Sequence, residues 1–375
     1  MKPIIHILFL LTVVNFTSPL NSLAQRRNPI TSPEFNADGS VTFRYDGPKA
    51  QKVEISAEFL KEKQSLIRGD TGVWSLTINA IEPDIYPYFF VVDGVNVADP
   101  SNPDIFPNER FKRSLIDVPS KTATLQDIQD VPHGLVTMRY YNSKSLGLTR
   151  QLVTYTPPGY EKNSNTKYPV LYLIHGMTDT EDTWVKVGHI NVIMDNLIAQ
   201  GKAKPMIIAM PYANPYPALF KKDKSVKIDH LNTDLFRKEI MNEIIPFTES
   251  NYRVTANAAN RAIAGFSLGG RQTLAAGLAN PKTFSYVCAF APAVWKKEFD
   301  DSFKNLYAPA NELNANLKLL WVSVGKSDFL YQPALDITAA FDEKKIKYTS
   351  RYSEGGHTWM NVRDYIEMTA PLLFK

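Results

Sequence analysis

From about residue 135 onward, short continuous apolar runs alternate with stretches of helical period, and this alternation restricts the fold more than any other feature of the chain. The runs occupy residues 170–174, 206–210, 261–264, 286–290 and 317–324. Helical stretches fall around 191–199, from Gly269, and around 333–341, while Phe236, Ile240, Ile244 and Phe247 recur on one helical face. A strand apolar on both faces must be covered on both faces. The pattern therefore predicts an α/β fold, a mostly parallel sheet with helices on each side. Two earlier strands around 136–140 and 150–156, and a last one at 347–352, complete the expected series.

The front of the chain has a different texture. Short strand-like runs at 41–45, 52–56, 74–78 and 88–92 are separated by Asp38-Gly39, Asp46-Gly47-Pro48, Thr71-Gly72 and Asp93-Gly94. Closely spaced strands and turns with no helical period predict an all-β, immunoglobulin-like sandwich over residues 25–118. Residues 119–134 are polar and turn-forming, which suits a linker, and residues 135–375 form the second unit. Lys2, the apolar run 4–14 and the small residues of Ser22-Leu23-Ala24 predict a signal peptide at 1–24. Its apolar run is shorter than the ~20 residues that span a bilayer. A secreted or periplasmic protein with no membrane span after cleavage is expected.

The lone cysteine, Cys288, excludes an intrachain disulfide and sits in an apolar run, where a thiol packs rather than reacts. No cysteine–histidine cluster has metal-ligand spacing, so neither metal nor cofactor is expected. The net charge of +4 comes from interspersed cations and anions, which argues against a nucleic-acid partner.

The chemistry centres on Gly265-Phe266-Ser267-Leu268-Gly269. It follows a short apolar strand and opens a helical stretch, the setting a nucleophile elbow needs, with glycines where a side chain would meet neighbouring backbone. A serine hydroxyl needs a base to take its proton. In such a fold the order along the chain is serine, acid, histidine, and His357 is the only histidine after Ser267. The acid must lie between them. Asp328, one turn past the run 317–324, is the best placed. Asp336 and Asp342 fall on the next helix, Asp300 and Asp301 lie in a polar loop too early in the order, and Glu354 is the alternative. Backbone N–H groups of Leu268 and of Met177, in the loop His175-Gly176-Met177, are the expected oxyanion donors. Trp184, Tyr212, Asn214, Trp295, Leu330, Tyr331 and Trp359 are candidate substrate contacts, most of them in loops after strands where substrates bind in such sheets.

Several stretches together resemble carbohydrate esterase family one, the feruloyl and acetyl-xylan esterases, and their siderophore-esterase relatives. They are Tyr155-Thr156-Pro157-Pro158-Gly159-Tyr160, His175-Gly176 with Glu181 and Trp184, Asn196-Leu197-Ile198-Ala199 with Pro205-Met206, the serine motif, Gly325-Lys326-Ser327-Asp328-Phe329-Leu330, and Gly355-Gly356-His357-Thr358-Trp359. The front unit resembles the early-set sandwich related to carbohydrate-binding module family 48, through Ser32-Pro33-Glu34-Phe35, Gly72-Val73-Trp74-Ser75, Tyr86-Pro87-Tyr88, Val92-Asp93-Gly94 and Asp99-Pro100-Ser101-Asn102. The resemblance implies an α/β-hydrolase fold and removal of feruloyl or acetyl esters from ester-decorated plant polysaccharide or oligosaccharide. Hydrolysis of siderophore or other small esters, acyl transfer, and non-catalytic carbohydrate binding stay open. So does a homodimer.

Overall fold

The computed structural model describes residues 29–375 apart from 163–164, 228, 230 and 302–306. The expected signal peptide lies outside the described residues. One eight-stranded sheet organises the larger part of the molecule. Its spatial order is Leu135–Ser143, Leu148–Thr156, Ile207–Pro211, Val170–Ile174, Arg261–Phe266, Tyr286–Phe290, Leu319–Gly325 and Thr349–Ser353. The first two strands form a hairpin, the second runs antiparallel to Ile207–Pro211, and all later neighbours are parallel. Every residue of Val170–Ile174, Ile207–Pro211 and Tyr286–Phe290 is buried, as runs covered on both faces must be. Each fully buried Val, Leu or Ile there contributes ~1.5–3 kcal/mol relative to exposure.

The chain reverses its direction across the sheet at Val170–Ile174. The next strand in sequence lies on one side of it and Arg261–Phe266 on the other. Ile174 pairs with Gly265 and Gly265 with Ala289, so the carboxyl ends of three strands are level and their loops meet over a crevice. Open α/β sheets bind ligands at such a reversal.

Two local expectations need correction. The face of Phe236, Ile240, Ile244 and Phe247 does not belong to one regular helix. Helix Asp234–Glu239 passes into a π turn over Ile240–Ile244 and then into helix Ile245–Asn251. Pro246 has no N–H to continue an α-helical ladder, and the wider turn absorbs that while keeping Phe236, Ile240 and Ile244 buried. Asp300 and Asp301 are not in a loop but close the helix Lys296–Asp301.

The front region is β-rich, with no helix among the described residues from Glu34 to Asp117. It holds one sheet of four strands and one of six, with Phe43 and Tyr88 from the two sheets meeting edge to face at 5.0 Å. Val41, Val53, Ile55, Trp74 and Phe90 fill the space around them. Ile85, Phe106 and Leu115 are different, because they belong to the apolar cluster of the large sheet. Arg363, almost fully buried, donates to the Asp84 carboxylate and to the carbonyls of Ile85 (3.0 Å) and Val187 (2.7 Å). The stretch expected as a linker is strapped down as well: Asn196 donates to the carbonyls of Leu125 (2.8 Å) and Asp127 (2.9 Å). The two regions thus share a core and hydrogen bonds. No helix of the described residues is long and apolar enough to cross a membrane.

Candidate active site

Ser267 stands between the strand Arg261–Phe266 and the helix Leu268–Ala279, with φ 58° and ψ −113°. That backbone is unfavourable for a side chain and persists only where neighbours enforce it. Here the Ser267 N–H donates to the Phe290 carbonyl at 2.8 Å, while the Ser267 carbonyl accepts from Ala293 and Arg271, both at 3.0 Å. The flanking glycines are required by close approach. A Cβ on Gly265 would lie 2.4 Å from the Gly269 carbonyl oxygen, and one on Gly269 would lie 2.5 Å from the carbonyl oxygens of both Ile174 and His175. All of these are backbone atoms, so Gly269→Ala is expected to cost about 3 kcal/mol in urea unfolding. A loss below about 1 kcal/mol would contradict so tight a packing of helix on strand.

The carboxylate that meets His357 is that of Asp328, with Nδ1 and Oδ2 2.8 Å apart. Asp328 is buried, and its other oxygen accepts the Leu330 N–H at 2.8 Å. Glu354 instead points to the surface, where it pairs with Lys326 at 2.5 Å. Two backbone bonds, Lys326 N–H to Ser353 (2.8 Å) and Ser327 N–H to Gly355 (2.9 Å), tie the acid loop to the histidine loop. Thr358 then caps the helix Trp359–Thr369, fixing the chain directly after His357. The imidazole packs against the rings of Phe266 and Phe329, with centroids 4.6 Å away in each case.

Ser267 and His357 line one cavity of about 330 Å³. Met177 lines the same cavity and the buried Leu268 directly follows Ser267; neither N–H has a partner among the described residues. Of the candidate substrate contacts, Trp295 and Trp359 line the cavity. The others do not. Trp184 and Leu330 are fully buried, the Trp184 ring packing against Trp359 from below at 4.9 Å. Asn214 is buried with its amide on Glu109, Tyr212 gives its hydroxyl to the same carboxylate, and Tyr331 packs edge-on against Tyr352. Unforeseen lining residues include Phe329, Asp179 and four from the front region, Glu58, Phe106, Asn108 and Arg113. Phe329 lies within a motif read from the sequence, and Asp179 follows closely on one. Nothing local marks the other four, because they reach the cavity only through the packing of two remote segments.

His175 and Asp179 show what burial does beneath the cleft. The His175 ring accepts the Ala213 N–H at Nε2 (2.9 Å) and donates from Nδ1 to the Gly176 carbonyl (2.8 Å), which fixes a neutral tautomer. Burial holds its pKa down at about 4. Asp179 is buried against Gly176, and loss of solvent pushes its carboxyl up to about 7. A carboxyl whose pKa is higher folded than unfolded makes stability fall as pH rises between those two values. Asp179→Asn removes that slope and leaves His175 untouched. The variant is expected to come close to wild type near pH 4 and to exceed it by about 4 kcal/mol at pH 8, as read from urea unfolding at several pH values. An equal difference at both pH values would contradict a buried, proton-holding Asp179. Among the described residues, no group of three or more His, Cys, Asp or Glu side chains is arranged to hold a metal ion.

A mostly parallel sheet with a serine at a strained strand-to-helix turn, and a histidine–carboxylate pair on loops at the same cavity, is the arrangement of an α/β-hydrolase. The family model described as "Putative esterase" matches residues 143–364, and the chain belongs to that family. It is 33% identical over 260 residues to an endo-1,4-beta-xylanase/feruloyl esterase of Xylanibacter ruminicola, a match covering 68% of this chain and 35% of the relative. It is 25% identical to endo-1,4-beta-xylanase Y of Acetivibrio thermocellus, covering 60% of this chain and 22% of the relative. The chain thus spans about a third or less of the length of these two curated relatives. Among solved structures, a ferulic acid esterase of Anaeromyces mucronatus superposes with a TM-score of 0.58 at 24% identity, over 67% of this chain and 94% of its own. The enterobactin esterase of Shigella flexneri superposes with a TM-score of 0.66 at 17% identity, over 89% of this chain and 92% of its own. The 89% of this chain covered there exceeds what the large-sheet region supplies by itself, so the likeness of fold extends into the β-rich front.

Proposed function

We propose that the chain is a secreted serine carboxylic-ester hydrolase that removes feruloyl, or acetyl, decorations from xylan-type plant polysaccharide. The observation that carries this reading is the His357–Asp328 pair facing the same cavity as Ser267 on its strained turn. In the first step Ser267 Oγ attacks the ester carbonyl while His357 takes its proton. Asp328 holds the imidazole with its proton on Nδ1 and stabilises the imidazolium that forms. The N–H groups of Met177 and Leu268 take the negative oxygen of the tetrahedral intermediate. His357 returns the proton to the departing alcohol, and water, activated by the same imidazole, clears the acyl group from Ser267. Trp295, Phe329 and Trp359 offer aromatic surface along the cavity on which a cinnamoyl ring stacks. The printed name of the Xylanibacter ruminicola relative, xylanase/feruloyl esterase, supports the feruloyl substrate.

The domain reading is part of the same proposal: signal peptide 1–24, an immunoglobulin-like early-set unit at 25–118, a connecting stretch 119–134, and the hydrolase at 135–375. A second reading, hydrolysis of a catecholate siderophore ester, is favoured by the extent of the fold likeness to the enterobactin esterase. A panel of methyl ferulate, feruloylated arabino-oligosaccharide, acetylated xylo-oligosaccharide and a catecholate trilactone separates them. The highest kcat/KM is expected on the feruloylated oligosaccharide. Preference for the trilactone would install the second reading, and tight glycan binding without any ester hydrolysis would remove both.

A further inference from the structure

We propose that the β-rich front region completes the catalytic machinery through a clamp on the oxyanion loop, with Asn108 and Glu109 as positioning residues. The inference rests on the serine-hydrolase reading above, because it needs the Met177 N–H to act on the developing oxyanion.

Thr178, the residue after Met177, has φ +66°, a left-handed backbone that a β-branched side chain rarely adopts. Such a conformation persists when surrounding contacts over-determine it. Two of those contacts come from the front region. The Glu109 N–H donates to the Thr178 carbonyl at 2.7 Å, and the Asn108 side-chain amide donates to Thr178 Oγ1 at 2.9 Å. The two bonds grip one residue from both its backbone and its side chain.

The gripping segment is itself anchored. Phe106, two residues before Asn108, is buried in the apolar cluster of the large sheet. Asn108 Oδ1 accepts the Arg110 N–H at 2.9 Å, which orients its amide nitrogen toward Thr178. The Glu109 carboxylate accepts from the Tyr212 hydroxyl at 2.5 Å and from the Asn214 amide at 2.9 and 3.1 Å. Tyr212 stacks on the His175 ring with centroids 5.6 Å apart, and the His175 ring holds the Ala213 N–H. One dipeptide of the front region thus fixes both ends of the problem, the residue after the oxyanion donor and the loop that backs it.

Positioning at this accuracy matters for rate. Removing one oxyanion donor lowers kcat by roughly 10²–10³, and misplacing one by an ångström has effects of similar size. Releasing one of two grips on the loop is therefore expected to cost roughly tenfold in kcat. The clamp also explains why Asn214 is buried and why the Tyr212 hydroxyl is turned to Glu109 rather than to the cavity. Their polar ends hold the front region in place.

The test uses the full chain and 4-nitrophenyl acetate, an ester too small to gain from remote contacts. Asn108→Ala removes the donor, and Thr178→Val removes its acceptor while keeping the side-chain shape. Each is expected to lower Ser267-dependent kcat roughly tenfold with KM within about twofold, and the double variant to be no worse than the poorer single one. Thr178→Ser, which keeps the hydroxyl, is expected to stay near wild type. The inhibition constant of a phenylboronic acid, whose serine adduct places an oxygen among the oxyanion donors, should rise by the same factor. Unfolding midpoints close to wild type assign the loss to positioning. Unchanged kcat, a change confined to KM, or fully multiplicative losses in the double variant would each overturn the clamp while the serine-hydrolase reading stands. Wild-type protein without Ser267-dependent turnover would overturn that reading first, and the clamp with it.

Discussion

Replacing Ser267 by alanine is expected to lower kcat for ester hydrolysis by about 10⁴-fold or more and to leave the protein folded. The size of the effect follows from what the side chain supplies. Without the hydroxyl no acyl-enzyme forms, and only the oxyanion donors and ground-state binding are left to favour attack by water. The fold should tolerate the change, because the strained backbone at φ 58° is held by bonds from Phe290, Ala293 and Arg271 to the main chain of residue 267. Initial rates on 4-nitrophenyl acetate, with circular dichroism as the control for folding, check it. Residual activity above about one per cent of wild type would take the nucleophile's role away from Ser267.

Asp328→Asn is expected to lower kcat by about 10⁴-fold at neutral pH, although the substitution changes almost no volume. One carboxylate oxygen accepts the Leu330 N–H and the other faces His357 Nδ1. Asparagine in that site keeps its carbonyl on the Leu330 N–H and turns its NH₂ toward the ring. Nδ1 must then accept, so the ring proton moves to Nε2, the nitrogen that has to receive the serine proton. The pair would be intact in shape and wrong in polarity. Glu354→Gln supplies the contrast, since Glu354 pairs with Lys326 at the surface and its loss should leave kcat within about twofold of wild type. A loss below tenfold in Asp328→Asn, or a larger loss in Glu354→Gln, would reverse the assignment of the acid.

Much of the large sheet is legible in the sequence, because strands buried on both faces have to be continuously apolar. Val170–Ile174, Ile207–Pro211 and Tyr286–Phe290 read as strands without any knowledge of their neighbours. The serine turn is legible for a related reason. At Gly265 and Gly269 neighbouring backbone approaches so closely that only glycine fits. Where two outcomes share one local pattern, the sequence is silent. An aromatic residue in a loop after a strand can face the cleft, as Trp295 and Trp359 do, or seal the core beneath it, as Trp184 does. The π turn before Pro246 leaves the apolar spacing of its segment almost unchanged and so leaves no trace in it.

The front region is the least legible part of the site. Its turns and alternation announce strands, and on that basis it reads as a separate unit joined by a linker. Yet Ile85, Phe106 and Leu115 are buried in the cluster of the large sheet, and Glu58, Asn108 and Arg113 line the same cavity as Ser267. These contacts come from the docking of one folded surface on another, and no periodicity within either segment encodes that register. Removing the front region would accordingly strip one wall from the cavity, so activity measurements belong on the whole chain.

The central claim is that the acyl group passes through Ser267. Acid quench of the protein during steady-state turnover of 4-nitrophenyl acetate, followed by digestion and mass spectrometry of the peptides, tests it directly. The account predicts one acetyl group on the peptide that contains Ser267, absent from the Ser267→Ala protein. Turnover with that peptide unmodified, or with the acetyl group on another residue whose replacement abolishes activity, would contradict it.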